Sequence, residues 1–174
     1  MFRHALFTAL VSAQAALGAS LALADEAQVE RGKYLVTIAG CSDCHTPGAL
    51  LGMPDMKRYL GGSDVGFAIP TQGVFVGQNL TPDKQTGIGG WTDAQIIAAI
   101  RQGKTPEGRA LSPVMPYFAL SHLTDADAEA IVAFLKSLPA VSNQVRNFGP
   151  NDKVTINVSA VLPPNVYNAL PGAK

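Results

Sequence analysis

The stretch Cys41-Ser42-Asp43-Cys44-His45 decides how this chain is read. Its C-x-x-C-H spacing is that of a covalent haem attachment motif. Two thiols three positions apart can each form a thioether with one vinyl group of the porphyrin. The next residue, His45, then lies under the ring with an imidazole nitrogen in reach of the iron. Covalent attachment also keeps the cofactor from dissociating outside the cell. Cys41 and Cys44 are the chain's two cysteines, and this narrows the rival readings. A zinc site needs four ligands, commonly two such pairs. A thioredoxin-like redox pair follows a strand within a βαβ pattern, whereas this pair closes an amphipathic segment. One haem c, bound through Cys41 and Cys44 with His45 on the iron, is the expectation.

Working outward, the segment before the motif has helical spacing from about Glu26 to Ala39. Val29, Gly32, Leu35, Val36 and Ala39 fall near one face, and Gly40 is suited to stop the helix just before Cys41. A second helix is predicted from Thr92, with Gln95 completing a capping box and Trp91 and Ile96 placed as a hydrophobic staple. Ile96, Ile97 and Ile100 form its buried stripe, and Gly103 ends it. A third begins at Thr124, with Asp127 three residues on, and carries Ala128, Ile131, Val132, Leu135 and Leu138 at helical spacing up to Pro139. The glycine-rich stretch from Gly48 to Gly90 reads as long irregular loop. Such loops are uncommon in compact domains, but a haem supplies an apolar body on which they can pack. The fold class expected is therefore all-α: about three main helices and long loops around one haem.

A sixth iron ligand has four candidates beyond the N-terminal segment: Met53, Met56, Met115 and His122. Met115 lies between Pro113 and Pro116. Prolines on either side restrict the backbone and can hold a thioether in a fixed direction. The plainer reading of Met115 is a core filler. Met53 and Met56 sit in a glycine-rich loop, and His122 near the start of the last helix suits a solvent-facing role.

The two ends carry different signals. Residues 1–24 begin with basic Arg3, contain no acidic residue and end in Ala22-Leu23-Ala24, the pattern of an export signal cleaved after Ala24. An uncleaved membrane anchor is the alternative. No later apolar run is long enough to span a bilayer, so no integral span is expected after cleavage. The expected division is a signal peptide over 1–24, a haem domain over 25–140 and an extension over 141–174. In that extension Val154, Ile156 and Val158 alternate with polar residues, which suggests a strand or an arm wrapping its own domain. At 174 residues, 47% hydrophobic, the chain is long enough for one cored domain. Thirteen basic and thirteen acidic residues cancel, which speaks against nucleic acid as a partner.

Over about residues 30 to 140 the chain resembles the class I c-type cytochromes. The resemblance is strongest to the cytochrome c domains that take electrons from membrane-bound gluconate, alcohol and aldehyde dehydrogenases. It rests on Gly32-Lys33-Tyr34-Leu35, Cys41 to Thr46, Asn79-Leu80-Thr81-Pro82-Asp83, Thr86-Gly87-Ile88-Gly89, Trp91-Thr92, Ser112 to Tyr117 and a last helix containing Phe134. It implies that Met115 is the distal ligand and that Gly32 meets Phe134 where the first and last helices cross. It also implies that Asn79, Thr81 and Trp91 line the haem pocket; the residues alone read equally well as a turn and a staple. Residues 50–77 match that family poorly, and the extension after Val141 has no counterpart in it.

The function implied is a periplasmic one-electron carrier in a respiratory chain, not an enzyme. Its partners would be a dehydrogenase donor and a terminal oxidase or another cytochrome as acceptor. A haem peroxidase or a gas-binding sensor would need an open or displaceable sixth site. A near-neutral carrier is expected to dock through an apolar rim, with the segment around Gly61, Gly62 and Gly66 contributing to it.

Overall fold

A computed structural model describes residues 25–69, 72–149 and 151–153. The expected leader over residues 1–24 and the alternating Val154–Val158 segment lie outside the described residues. Helix α1 covers residues 25–38. Gly40 follows in the left-handed region at φ 65° and begins α2, the single turn Cys41–His45. The glycine thus reverses the chain between the two helices where a side chain would be strained.

Helices α3 (Asp93–Gln102) and α5 (Asp125–Ser137) start at the residues expected from the caps. Thr92 and Gln95 make both bonds of the capping box: Gln95 N–H donates to Thr92 Oγ1 at 3.3 Å, and Thr92 N–H donates to Gln95 Oε1 at 2.9 Å. Thr124 Oγ1 accepts from Asp127 N–H at 3.1 Å. Gly103, at φ 64°, closes α3. A short helix α4 (Tyr117–Leu120) packs on α3, and α3 packs on α5.

The core follows the helical stripes, except that Ala39, placed on the α1 face, is exposed and Ile97 and Leu138 are only partly buried. Leu35 and Val36 of α1, Ile96 and Ile100 of α3, and Ile131, Val132, Phe134 and Leu135 of α5 form one buried cluster, joined by Leu60 and Ile88 from the loops. Burying each of the larger aliphatic side chains contributes about 1.5–3 kcal/mol. At the α1–α5 crossing Gly32 is buried, and a β-carbon there would overlap the Ala130 carbonyl and lie 2.8 Å from Phe134 Cβ. The absence of a side chain is what allows the helices this approach. Arg31 and Asp127 bridge the same crossing at 2.9 Å.

The stretch from Gly48 to Gly90 is more ordered than its glycine content suggests. It holds two 3₁₀ turns, Ala49–Leu51 and Met56–Arg58, and a hairpin of β1 (Gly66–Ile69) and β2 (Gly73–Val76). The strands pair antiparallel, Gly66 with Val76 and Ala68 with Val74. Neither strand alternates between buried and exposed residues, so the period-two signal that marks a half-buried strand is missing. The fold is thus mostly helical with one small sheet, consistent with a small class I cytochrome c.

Beyond α5 the described residues stay on the domain. Phe148 forms an antiparallel bridge with Val74 on the free edge of β2, and Asn143 and Val141 bond to the loops at Gly61 and 79–86. Gly61 and Gly62 are buried under Val141 and Val145. Of the three glycines expected to contribute to an exposed rim, Gly61 and Gly62 are therefore covered by the extension, while Gly66 lies in β1 against Val74 and Val76 and is partly buried. Among the described residues no helix is long and apolar enough to cross a membrane.

Candidate haem site

In one helical turn, Cys41, Cys44 and His45 stand at i, i+3 and i+4, and therefore share a face. All three are partly buried and both thiols are free. Burial raises the Cys41 thiol to about 11 and pushes Cys44 upward as well. A reactive redox pair needs the opposite, a depressed thiol pKa. These are neutral thiols held side by side.

His45 is fixed from behind. Its Nδ1 lies 2.6 Å from the Gln78 carbonyl oxygen; that acceptor requires Nδ1 to carry the proton and leaves the Nε2 lone pair free. This is the arrangement by which a backbone carbonyl sets the tautomer of a metal-binding imidazole and raises its basicity. Burial holds the imidazole pKa below its ordinary value, with the Gln78 bond opposing, so the ring is the neutral ligand form. Gly77 makes the contact possible. A β-carbon at Gly77 would overlap the Cys44 carbonyl and come within 3.3 Å of His45 Nδ1. The loop can therefore lie against α2 only with glycine at this position. Neither Gly77 nor Gln78 was singled out from the sequence, because a carbonyl carries no side-chain signature.

The turn after α2 is equally constrained. Thr46 is buried, and its Oγ1 accepts from Leu60 N–H at 3.0 Å. Leu60 is fully buried at φ 57°, a conformation costly for a branched residue. It is retained because Leu80 N–H donates to its carbonyl at 2.8 Å while its side chain fills the core.

The other predicted residues fall as follows. Asn79 and Thr81 are buried and engaged with each other: Thr81 N–H and Oγ1 donate to Asn79 Oδ1 at 2.9 and 2.8 Å. Asn79 Nδ2 donates to Thr86 Oγ1 and the Val141 carbonyl, and Val141 N–H donates to Thr81 Oγ1. Their polar atoms are thus taken up in a knot joining the 79–86 loop to the extension. Trp91 is partly buried against the core beside α3. Of the four candidate sixth ligands, Met53 and Met56 are 73% and 64% exposed and His122 is exposed, while Met115 is partly buried in the turn leading into α4. Met115 N–H donates to the Ser112 carbonyl at 3.0 Å, and Tyr117 N–H to the Met115 carbonyl at 2.8 Å. The turn fixes the backbone on both sides of the thioether.

Two adjacent neutral thiols and an imidazole with one nitrogen bonded and one free form a donor set that fits haem c. Comparisons with known proteins agree. Residues 27–135 match the family described as cytochrome c oxidase, cbb3-type, subunit III. The chain is 39% identical over 113 residues to the fructose dehydrogenase cytochrome subunit of Gluconobacter japonicus, covering 63% of this chain and 22% of that one. It is 38% identical over 111 residues to the cytochrome c subunit of alcohol dehydrogenase (quinone) from Gluconobacter oxydans (strain 621H), covering 64% and 21%. Identity to a diheme cytochrome c-type of Cereibacter sphaeroides is 34% over 113 residues, covering 64% and 36%. The chain therefore spans between about a fifth and a third of the length of these relatives. It belongs to the family of c-type cytochrome domains described as cytochrome c oxidase, cbb3-type, subunit III, whose domains hold haem c covalently.

Proposed function

We propose that this chain is an exported, single-haem electron carrier of the periplasm, accepting electrons from a dehydrogenase and passing them to a terminal oxidase or another cytochrome. The observation that carries this reading is the His45–Gln78 bond beside two free thiols, with one C-x-x-C-H motif in the sequence. Bound haem c supplies a one-electron couple. Cys41 and Cys44 would hold it, His45 would ligate through Nε2 while the Gln78 carbonyl keeps the proton on Nδ1, and Met115 would supply the second protein ligand. A thioether ligand beside one imidazole would favour the reduced state relative to two imidazoles. Thr81, Asn79 and Trp91 shape the loop wall of the pocket. Residues 1–24 act as a leader removed after Ala24, residues 25–140 form the haem domain, and 141–174 are an extension. Similarity to cytochrome subunits of fructose and alcohol dehydrogenases supports the donor class; the substrate chemistry belongs to the partner.

Absorption spectra of the purified protein with and without carbon monoxide test this reading. Wild type is expected to be low-spin and unresponsive to the gas. Met115→Ala should lose the weak red absorption of iron–sulfur ligation, bind carbon monoxide and have a lower reduction potential, while His122→Ala stays unchanged. A carbon monoxide response in wild type, or substrate turnover without a dehydrogenase, would contradict it.

A further inference from the structure

We propose that Asn147, in the C-terminal extension, is a positioning residue for His45. The Gln78 carbonyl that fixes the His45 imidazole sits just past the end of β2, and the extension clamps both sides of that short segment. On the far side, Asn79 Nδ2 donates to the Val141 carbonyl at 2.7 Å. On the near side, Phe148 and Val74 exchange both backbone bonds, at 2.7 and 2.9 Å, so the extension pairs with the free edge of β2. Two residues further along that edge Val76 N–H has no backbone acceptor among the described residues. Asn147 Oδ1 takes the acceptor's place at 2.8 Å and also lies 3.5 Å from Gln78 Nε2, which itself donates to the Val76 carbonyl at 2.9 Å.

The links run in series: Asn147 to Val76 and Gln78, the Gln78 carbonyl to His45 Nδ1. Gly77 separates Val76 from Gln78 and has no side chain to fix its own backbone. Ser63 N–H donates to the Gly77 carbonyl at 2.8 Å on the other side; without an acceptor at Val76 N–H the strand end keeps that bond alone, and the Gln78 carbonyl is held less firmly. Asn147 touches neither the attachment cysteines nor His45; it acts through the carbonyl's place. The orientation and basicity of a ligating imidazole follow the bond to its other nitrogen, so loosening that bond makes the ligand less basic and raises the reduction potential.

This rests on His45 being the axial ligand, so the wild-type protein must first show covalent haem; its absence would fail that reading and not this one. The test then compares reduced holoprotein variants by solvent exchange of the His45 Nδ1 proton, followed by NMR, and by reduction potential. Asn147→Leu, similar in size and without an acceptor, is expected to speed that exchange roughly five- to tenfold, the equivalent of one net hydrogen bond, and to raise the potential. Asn147→Asp keeps the acceptor and should restore the wild-type exchange rate. Asp152→Ala removes the outer bonds of the extension to Arg146 and Gly149 and should leave exchange unchanged. Should Asn147→Leu not accumulate as holoprotein, Asn147→Ala carries the same comparison. Wild-type exchange and potential in the variant lacking the acceptor, even with lowered thermal stability, would overturn the proposal, as would an equal effect from Asp152→Ala.

Discussion

Replacing Gly32 with alanine adds one methyl group at the tightest point of the molecule. A new β-carbon would lie 2.8 Å from Phe134 Cβ, whereas carbon atoms in contact sit about 3.5–4.0 Å apart, a shortfall of about 1 Å. It would also overlap the Ala130 carbonyl, which is backbone and cannot rotate away. Helices α1 and α5 must therefore part, and the Leu35, Val36, Ile131 and Leu135 contacts around the crossing loosen with them. Overpacking of this kind costs about 1–3 kcal/mol, with the upper end expected because backbone opposes the methyl. Alanine returns up to about 1 kcal/mol through its better helix propensity. The balance is a loss of about 2 kcal/mol, or a fall in Tm of about 6–8 °C for a domain of this size. Thermal unfolding of the holoprotein, followed by haem absorption and circular dichroism, measures it. A Gly32→Ala protein melting within about 2 °C of wild type, or above it, would refute the close-crossing argument.

Two further predictions follow from the caps and the charges. Thr92→Ala removes the hydroxyl that accepts from Gln95 N–H and leaves the Thr92 N–H bond to Gln95 Oε1 in place, and urea unfolding should show a loss of about 1 kcal/mol; no measurable change would mean that the side-chain cap contributes nothing to α3. The hydrogen bond from Arg31, aided by Thr124, holds the Asp127 carboxyl below its ordinary range, against a smaller opposing effect of burial. Because the folded pKa is the lower one, this pair's contribution is complete above the unfolded value of about 4 and is lost as pH falls through the folded value. Arg31→Gln should therefore flatten part of the acid limb of a stability–pH curve, leaving the shares of Asp55 and Asp83, whose pKa values are also lowered. Parallel wild-type and variant curves would show that the pair contributes nothing.

The sequence made the helical frame readable because its signals are side-chain signals. Thr92 with Gln95 and Thr124 with Asp127 mark helix starts by the chemistry of their oxygens, and Ile96, Ile100, Ile131 and Leu135 mark buried faces by spacing. The Gly32–Phe134 crossing came from family resemblance together with the physics of a missing β-carbon. The hairpin was hidden because its burial does not alternate, and α4 is a single turn with too few residues for a period. The support of His45 was hidden for a different reason. Any residue can supply a carbonyl, so nothing at Gln78 announces the bond, and only Gly77 leaves a trace. The lacing of residues 141–148 depends on asparagine side chains meeting backbone groups 62 to 82 positions away, a pairing that no local pattern encodes.

Covalent attachment of one haem through Cys41 and Cys44 is the claim on which the rest depends, and intact mass measured under denaturing conditions tests it most directly. The chain should be produced with its leader in an exporting host that has haem maturation, beside a control cytochrome. Two C-x-x-C-H thiols and no others predict a polypeptide beginning at Asp25 that carries the mass of a single haem after denaturation. Loss of that increment is expected when Cys41 and Cys44 are both replaced by alanine. A bare polypeptide, while the control cytochrome carries its haem, would contradict the account.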